Sequence, residues 1–209
     1  MKRLISFALA FVLTLSMVAP SASANTDDIT GHYFEKPLRE LISKGILGGY
    51  GEGVYRPNGD VTRAEFAAFI MRTLDLYSVQ TASVGEMSVA SIVTSATFSD
   101  VPAEKWYYTP VTKASALGIV GGYPNGTFKP EQNISRQEMA VMIMRALDTR
   151  AIFSQPANVI FADEAEINPM FQDAVKRLVF LGIMSGKSGN KFDPKAATTR
   201  GETAAVISR

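Results

Sequence analysis

The sequence GIVGGYPNGTFKPEQNISRQE, at residues 118–138, occurs in two further versions along the chain. They read GILGGYGEGVYRPNGDVTRAE at residues 45–65 and GIMSGKSGNKFDPKAATTRGE at residues 182–202. All three place a Gly-Ile pair, a second glycine, an aromatic residue, a proline, an arginine and a glutamate at the same spacing. Ungapped matches of this length identify an internal repeat, in which each copy is one supersecondary unit.

Each copy of the repeat predicts the end of one helix, a loop and the start of a second helix. Leu38, Leu41 and Ile42 have helical spacing, and Gly45 after them suits a left-handed C-terminal cap. The loop is rich in residues that favour turns. A capping box, Thr or Ser followed by Glu, then starts the second helix at residues 62–65, 135–138 and 199–202. We therefore predict an all-α fold of three helix-loop-helix repeats.

The repeats extend upstream to about 50 residues each, with Asp27, Asp100 and Asp163 near their starts. A pair of helices of this size cannot bury its apolar face alone, whereas three units packed on one another can. We predict units at residues 25–76, 97–148 and 160–209. A linker rich in Ser, Thr, Val and Ala separates the first two units at residues 77–96, and a shorter linker separates the last two at residues 149–159.

Residues 1–24 have the features of a secretory signal peptide. Lys2 and Arg3 form a basic start, residues 4–18 are largely apolar, and residues 22–24 read Ala-Ser-Ala. The alternative is an N-terminal membrane anchor, but the apolar run is shorter than the roughly 20 residues that span a bilayer. We expect cleavage after Ala24, export, and no transmembrane anchor after cleavage.

Composition excludes several classes of protein. The 209 residues include 21 Lys and Arg against 20 Asp and Glu, a net charge of +1 that becomes −1 without the signal peptide. Near-neutral charge argues against a nucleic-acid partner bound by a broad basic face. With no cysteine, the chain has no thiol nucleophile, no cysteine-based zinc site and no disulfide. Its single histidine, His32, is expected at the surface, and we expect no metal or cofactor.

The repeats resemble the S-layer homology (SLH) domain family. The resemblance rests on FSDVP at residues 98–102, Trp106, the GI-x-x-GY pattern, TFKP at residues 127–130, and the TRAE and SRQE boxes. It covers almost all of residues 26–209 and is weaker in the third unit. It implies a three-pronged, pseudo-threefold helical assembly with ligand grooves between neighbouring units. It also implies non-covalent attachment to cell-wall polysaccharide, often a pyruvylated secondary polymer joined to peptidoglycan.

Arg63, Arg136 and Arg200 recur in the first turn of each second helix. A cation there opposes the helix dipole by roughly 0.3–1 kcal/mol, so its recurrence needs a reason. A guanidinium and the free N–H groups of a helix start together suit a carboxylate, such as that of a pyruvate ketal. With the resemblance, this favours contact between the arginines and the glycan. The alternatives are a structural ion pair and a solvated surface arginine.

Aromatic and loop residues complete the predicted glycan site. Trp106, the sole tryptophan, is expected to be partly exposed and to stack on a sugar ring, with a core position as the alternative. Tyr33 and Met170 occupy its place in the other units. The site also includes the loop glycines, the residue after each, and aspartates that would accept sugar hydroxyls or instead cap the first helices. These residues are Gly49, Tyr50, Gly122, Tyr123, Gly186, Lys187, Asp27 and Asp100.

The third unit departs from the pattern. Lys187 replaces the loop tyrosine, Gly201 lies inside the helix start, and Thr203 stands where Phe66 and Met139 stand. The sequence stops at Arg209, before an equivalent of the last leucine of the other units. Two interpretations stay open: a divergent unit that completes the scaffold, or a piece of a longer protein with a cargo domain elsewhere.

The expected function is non-enzymatic anchoring at the cell wall or cell surface, by binding an anionic secondary cell-wall polymer in grooves between the units. Peptidoglycan binding and S-layer assembly are the alternatives. An exported wall glycosidase is disfavoured, because it needs a pair of carboxylates across a cleft. The recurrent glutamates Glu65, Glu138 and Glu202 are already explained by the capping boxes.

Overall fold

The computed structural model describes residues 27–81, 98–152 and 154–209. The predicted signal peptide and most of the first predicted linker lie outside the described residues. Within the described ranges, each of the three units contributes two α-helices, and no residue belongs to a strand. The all-α prediction is therefore confirmed. No helix of these ranges is both long enough and apolar enough to cross a membrane.

The six helices are paired unit by unit in the order that the repeats predict. Unit 1 contains α1 (Glu35–Ser43) and α2 (Arg63–Thr81), unit 2 contains α3 (Tyr108–Ala116) and α4 (Arg136–Asp148), and unit 3 contains α5 (Gln172–Phe180) and α6 (Arg200–Ile207). Helix α2 continues into the segment that we predicted as the first linker.

The first helix of each unit ends at the glycine that the sequence indicates. Gly45 has φ +68°, and Gly118 and Gly182 have φ values of +71° and +70°. In unit 1 the Gly45 N–H donates to Ile42 O, and the Ile46 N–H donates to Leu41 O, each at 2.9 Å. This is the Schellman pattern, which satisfies the last carbonyls of the helix and requires a left-handed residue. It turns the chain sharply into the loop.

The second helices begin at the predicted capping boxes. Ser135 accepts a hydrogen bond from the Glu138 N–H, and the Glu138 carboxylate accepts one from the Ser135 N–H. Thr199 and Glu202 form the same reciprocal pair. In unit 1 the Thr62 N–H donates to Glu65 Oε2 at 2.9 Å. Each box satisfies N–H groups that would otherwise have no partner in the helix.

The prediction that the aspartates cap the first helices is wrong. Asp100 accepts hydrogen bonds from the N–H groups of Phe128 and Lys129, each at 2.7 Å. Asp163 does the same for Phe192 and Asp193, each at 2.8 Å. The second residue of each pair has a positive φ, +57° at Lys129 and +54° at Asp193. The carboxylate therefore holds a strained turn of the loop in place.

The equivalent residue in unit 1 is Asp28 and not Asp27, which corrects the alignment by one position. The N–H groups of Tyr55 and Arg56 donate to the two Asp28 oxygens, at 2.8 and 2.7 Å. Asp27 instead pairs with Arg39 at 3.0 Å on the surface. The sequence suggested Asp27 because no aromatic residue precedes the aspartate here to fix the register, as Phe98 and Phe161 do in the other units.

Contacts between the units form a closed cycle. The second helix of each unit packs on the first helix of the next: α2 on α3, α4 on α5, and α6 back on α1. Backbone hydrogen bonds follow the same cycle, from the N–H of Arg63 to Gln132 O, of Arg136 to Ala196 O, and of Arg200 to Gly59 O, at 2.9, 3.0 and 2.9 Å. The three units thus share one apolar core. Pseudo-threefold symmetry of this packing stays a prediction.

Candidate functional site

The three recurrent arginines are buried between units. Arg63, Arg136 and Arg200 are only 5, 6 and 2% exposed. Each Nε donates to the carbonyl oxygen of the loop aromatic residue in another unit: Arg63 to Phe128, Arg136 to Phe192, and Arg200 to Tyr55, at 2.9, 2.8 and 2.7 Å. The alternative hypothesis, that these are solvated surface arginines, is therefore wrong.

A second carbonyl of the same loop also accepts from each guanidinium. Arg136 Nη2 donates to Ser185 O at 3.0 Å, and Arg200 Nη2 donates to Gly48 O. Arg63 Nη2 lies 3.4 Å from Gly121 O. Each arginine thus joins the two ends of its neighbour's loop, which a planar group with a fixed fork of donors can do. Burial lowers the pKa of Arg136, while the charges of Glu202 and Asp193 act in the opposite direction.

Glutamates of the capping boxes meet the same arginines. Arg63 Nη1 lies 2.7 Å from Glu138 Oε1, and both side chains are largely buried. Arg200 Nη1 lies 3.5 Å from Glu65 Oε1. One oxygen of each carboxylate thus caps a helix, and the other faces an arginine from another unit. Both glutamates therefore have a capping partner and an arginine partner. These contacts agree with the alternative in which the arginines form structural ion pairs.

The loop glycines allow close approach of the backbone to an aromatic ring. A Cβ on Gly122 would lie 2.6 Å from Phe98 Cε1, and one on Gly186 would lie 2.9 Å from Phe161 Cε1. A Cβ on Gly49 would lie 2.9 Å from Val54 O. These glycines therefore have a packing reason to recur. A direct role in binding glycan stays a prediction for all three.

An open groove brings together four of the residues that the sequence assigned to the site. It is about 140 Å³ in volume, and Gly49, Tyr50, Trp106 and Arg200 all line it. Loop and helix residues of unit 1 line it together with Trp106 of unit 2 and Arg200 of unit 3. Trp106 is 58% exposed, as we predicted from its position. Its ring makes an edge-to-face contact with that of Tyr107, with centroids 5.4 Å apart.

Tyr50 lines this groove and belongs to a polar cluster. Its hydroxyl donates to Glu65 Oε1 at 2.6 Å and accepts from Arg200 Nη1 at 3.3 Å. The guanidinium carbon of Arg56 lies 4.3 Å from the centre of the Tyr50 ring. Burial raises the pKa of the Tyr50 hydroxyl, and its hydrogen bond to Glu65 raises it further. The phenol therefore keeps its proton at neutral pH and acts as a donor.

The corresponding places in the other two units are chemically different. Tyr123 donates to Glu138 at 3.1 Å, but the exposed residue at the Trp106 position is Met170. In unit 3 the ammonium of Lys187 lies 3.5 Å from Glu202 Oε1, which replaces the tyrosine hydroxyl by a charge. The next unit in the cycle after unit 3 is unit 1, where Tyr33 takes the Trp106 position and is 90% exposed. The alignment of the repeats showed these differences between units. The structure adds that Tyr123 contacts Glu138 and that Lys187 contacts Glu202.

The sequence interpretation missed Arg72, which lines the open groove and is exposed. Its Nη1 donates to Ile46 O at 2.9 Å, so a carbonyl of the loop just after α1 holds the side chain in position. Arg209 makes the matching bond to Ile183 O at 3.2 Å. Arg145 occupies the same place in unit 2. The signal was present in the sequence, because an arginine recurs nine residues after Arg63, Arg136 and Arg200.

Two other candidate residues lie away from the groove. Asp27 pairs with Arg39 and accepts from the Thr30 hydroxyl at 2.6 Å. His32 Nε2 lies 3.0 Å from Asn58 Oδ1, and its Nδ1 accepts from the Phe34 N–H at 3.2 Å. Across the described residues, no group of three or more His, Cys, Asp or Glu side chains could hold a metal ion.

Comparison with known proteins finds one matching segment within each of the three predicted units. A family model of the S-layer homology domain matches residues 25–67, 97–140 and 160–204. The chain is 34% identical over 151 residues to a surface layer protein of Brevibacillus choshinensis, which covers 70% of the chain and 13% of that protein. It is 29% identical over 182 residues to a cellulosome-anchoring protein of Acetivibrio thermocellus, which covers 84% of the chain and 39% of that protein.

An enzyme is also among the relatives. The chain is 28% identical over 223 residues to an endoglucanase of Bacillus sp. (strain KSM-635). That alignment covers 99% of the chain but 22% of the endoglucanase. The chain thus spans less than a quarter of the length of this enzyme and well under half of the anchoring protein.

Proposed function

Because the chain belongs to the S-layer homology domain family, we propose that it anchors protein to the cell surface by binding an anionic cell-wall glycan without a covalent bond. The groove formed by Tyr50, Arg72 and Trp106 is the observation that supports this most directly. Its lining residues include both an exposed aromatic ring and an exposed cation. That pairing suits a sugar that carries a carboxylate.

The size of the groove favours the end of a polymer over its middle. At about 140 Å³ it is smaller than the roughly 300–1,000 Å³ of pockets that enclose a whole drug-sized ligand. A terminal sugar with a pyruvate ketal presents both an apolar ring face and a carboxylate at one place. Trp106 would stack on the ring face, and Arg72 would hold the carboxylate by charge-assisted hydrogen bonds.

In this proposal the buried arginines hold the loops in place and do not bind the glycan themselves. Arg200 holds the Tyr50 hydroxyl and the loop of unit 1, so a residue of another unit positions this part of the groove lining. Arg63 and Arg136 hold the loops of units 2 and 3 in the same way. Direct contact of the glycan with these three guanidiniums is the alternative. It requires the glycan to displace hydrogen bonds that the arginines already make.

Avidity strengthens a weak single groove. Related but unequal sites in units 2 and 3 would contact other chain ends of the same polymer network. Two sites that engage one network make the second binding step intramolecular, which raises the apparent affinity far above that of one groove. The wall polymer, or peptidoglycan itself, is thus the proposed partner, and the cell surface the proposed location.

Relatives with different names support an anchoring role over a catalytic one. A surface layer protein, a cellulosome-anchoring protein and an endoglucanase each share only a limited part of their length with this chain. The part of this chain that they share contains the S-layer homology repeats. Each relative is much longer than this shared part, so its name describes a larger protein. We propose no catalytic role for the chain, since each recurrent glutamate caps a helix and also faces a cation from elsewhere in the chain.

Co-sedimentation with purified wall sacculi tests the function. Residues 25–209 are mixed with sacculi before and after acid removal of the secondary polymer, with bovine albumin as a protein that should stay in solution. We expect pelleting with untreated sacculi and its loss after acid treatment. Pelleting with both preparations would point to peptidoglycan as the partner. No pelleting with either would reject anchoring by this chain.

A further inference from the structure

The residue that follows the loop aromatic residue is charged in every unit and has a left-handed backbone. Arg56, Lys129 and Asp193 have φ values of +53°, +57° and +54°. Glycine adopts this conformation without strain, whereas a residue with a Cβ does so at a cost. An aspartate carboxylate of the same unit holds each of these residues by its backbone N–H. The charged side chain at this position therefore needs a reason.

In units 1 and 2 this residue is a cation that lies over the loop tyrosine, and we call it the loop cation. The guanidinium carbon of Arg56 is 4.3 Å from the centre of the Tyr50 ring, and the Lys129 ammonium is 4.2 Å from that of Tyr123. Both distances suit a cation–π contact. Both loop cations are exposed, so each remains accessible to a ligand. Since Tyr50 lines the groove at Trp106, Arg56 adds a positive charge beside that groove.

The surroundings of the two tyrosines are alike in charge. Each ring has two cations over it, the loop cation and a buried arginine of another unit. Each hydroxyl donates to one carboxylate, that of the capping glutamate. Two positive charges thus meet one negative charge at each of these places, which favours an anionic ligand.

Unit 3 has different charges at the same two positions. Lys187 replaces the loop tyrosine, and Asp193 replaces the loop cation. The Lys187 ammonium lies 3.5 Å from Glu202 Oε1 and 3.9 Å from Asp193 Oδ2. The charge of Lys187 is thus engaged by two carboxylates. With the buried Arg136, whose guanidinium both carboxylates influence, two positive charges here meet two negative charges.

We propose that the residue at the loop-cation position selects the ligand, so that units 1 and 2 take a sugar with a carboxylate and unit 3 takes an uncharged sugar. This inference rests on the proposed function. In units 1 and 2 the exposed cation attracts the carboxylate of the ligand. In unit 3 the carboxylate of Asp193 repels it, and such a repulsive element is a common source of specificity. The arginine at the Arg72 position recurs in every unit, so it does not distinguish them.

Unit 3 keeps groups that suit an uncharged sugar. Tyr33, which takes the Trp106 position beside it, is exposed and offers a ring face for stacking. The ammonium of Lys187 can donate to a sugar hydroxyl, and the carboxylates of Asp193 and Glu202 can accept from one. Such contacts need no charge on the ligand. The chain would therefore hold two kinds of site on one scaffold.

Two probes that differ only in charge test this selectivity. One is methyl glucoside with a pyruvate ketal, and the other is the same glucoside with an isopropylidene ketal, which lacks the carboxylate. Titration of residues 25–209 is followed by heteronuclear NMR, because the amide signals of each loop report on each unit separately. We expect units 1 and 2 to bind the acidic probe about two- to fivefold more tightly than the neutral probe, as an exposed ion pair allows. Unit 3 should bind the neutral probe at least as tightly as the acidic one.

Exchange of the charge between units tests the role of this position. Arg56→Asp should remove the preference of unit 1 for the acidic probe, and Asp193→Lys should create that preference in unit 3. Each new side chain already occupies the same left-handed position in another unit, so the backbone tolerates both changes. Lys44→Asp is the matched control for Arg56→Asp. It makes the same change in charge at an exposed residue that does not line the groove, and it should leave all preferences unchanged.

Three results would overturn the inference. One is a preference for the acidic probe that is equal in all three units of the unaltered chain. Another is a preference in unit 1 that Arg56→Asp retains. The third is absence of binding by both probes. Co-sedimentation with sacculi separates this inference from the proposed function. If the chain pellets with sacculi but gives any of these results, only the selectivity is rejected, whereas a chain that neither pellets nor binds a probe rejects both.

Discussion

Phe34 lies directly against Gly201, so that a Cβ on Gly201 would stand 2.5 Å from Phe34 Cδ2 and 3.1 Å from Phe34 Cβ. The pair joins α6 of unit 3 to the start of α1 in unit 1, where the cycle of units closes. Ala64 and Gln137 hold the position of Gly201 in the other units. The glycine that looked like a defect in the capping box is therefore fitted to its neighbour.

Gly201→Ala should lower the free energy of unfolding by about 1–2 kcal/mol. Overpacking against Phe34 costs roughly 1–3 kcal/mol, and the better helix propensity of alanine returns up to about 1 kcal/mol. Urea denaturation measures the change. Gly48→Ala is the control, because no atom lies within 4 Å of the added carbon. A Gly201→Ala chain that is as stable as the unaltered one would contradict the fitted contact.

Arg63→Ala should destabilise the fold by about 3–5 kcal/mol, because it leaves Glu138 without its buried arginine partner and removes the donor to the carbonyls of Phe128 and Gly121. Arg63→Lys should recover part of the loss, since an ammonium cannot reach all three acceptors. Thermal unfolding gives both values. Arg39→Ala removes an exposed arginine and should leave the midpoint nearly unchanged. A loss below about 1 kcal/mol in Arg63→Ala would favour direct glycan contact over a positioning role.

Asp163→Asn should weaken the fold by about 1–3 kcal/mol at neutral pH, because the carboxylate holds the turn at Phe192 and Asp193. Burial alone would raise the pKa of Asp163, but the two N–H donors outweigh it, and the pKa is lowered from 3.8. The carboxylate thus stabilises the fold above its ordinary pKa, and this contribution is lost as the pH falls through the lowered value.

The pH dependence provides the check on this carboxylate. Urea denaturation of both chains between neutral pH and pH 2 should show a constant difference in unfolding free energy at first. The difference should shrink below about pH 4. A difference that instead grows in acid would show that the neutral acid, and not the carboxylate, holds the turn.

Trp106→Ala should weaken binding to untreated sacculi about two- to tenfold, which corresponds to the loss of one stacking contact. Phe180→Ala is the matched control, because Phe180 is exposed to a similar degree, 59% against 58%, and does not line the groove. The unaltered chain adds a direct readout, since its sole tryptophan should change emission when soluble polymer fragments bind. An unchanged emission spectrum at saturation would place the glycan away from Trp106.

Arg72→Gln should weaken binding to sacculi about tenfold at low salt, because a charge-assisted hydrogen bond to the glycan is lost. The difference from the unaltered chain should shrink as salt screens the exposed pair. Arg39→Gln, another exposed arginine, should bind as the unaltered chain does. If both variants bind equally well at every salt concentration, the carboxylate is held elsewhere.

Local sequence signals predicted the helix ends and starts well. Gly45, Gly118 and Gly182 ended the first helices, and the capping boxes started the second, because both devices depend on residues only a few positions apart. The same holds for the repeat itself and for the exposure of Trp106. Helix α2 extends to Thr81, inside the segment predicted as the first linker, because the Ser-, Thr- and Val-rich sequence there has no clear period from which to place the helix end.

Three similar helix-loop-helix units, their caps and the residues that recur in each were thus predictable from the amino-acid pattern. The contacts that these residues make depend on how the units pack against one another. Arg200 reaches Tyr55 across 145 positions of the chain, and Asp28 reaches Tyr55 across 27. Such pairings depend on which units become neighbours, and a repeated pattern gives every unit the same candidates. The choice among them follows from closing the apolar core. Phe34 fits against unit 3, because that unit has Gly201 where the other two have Ala64 and Gln137.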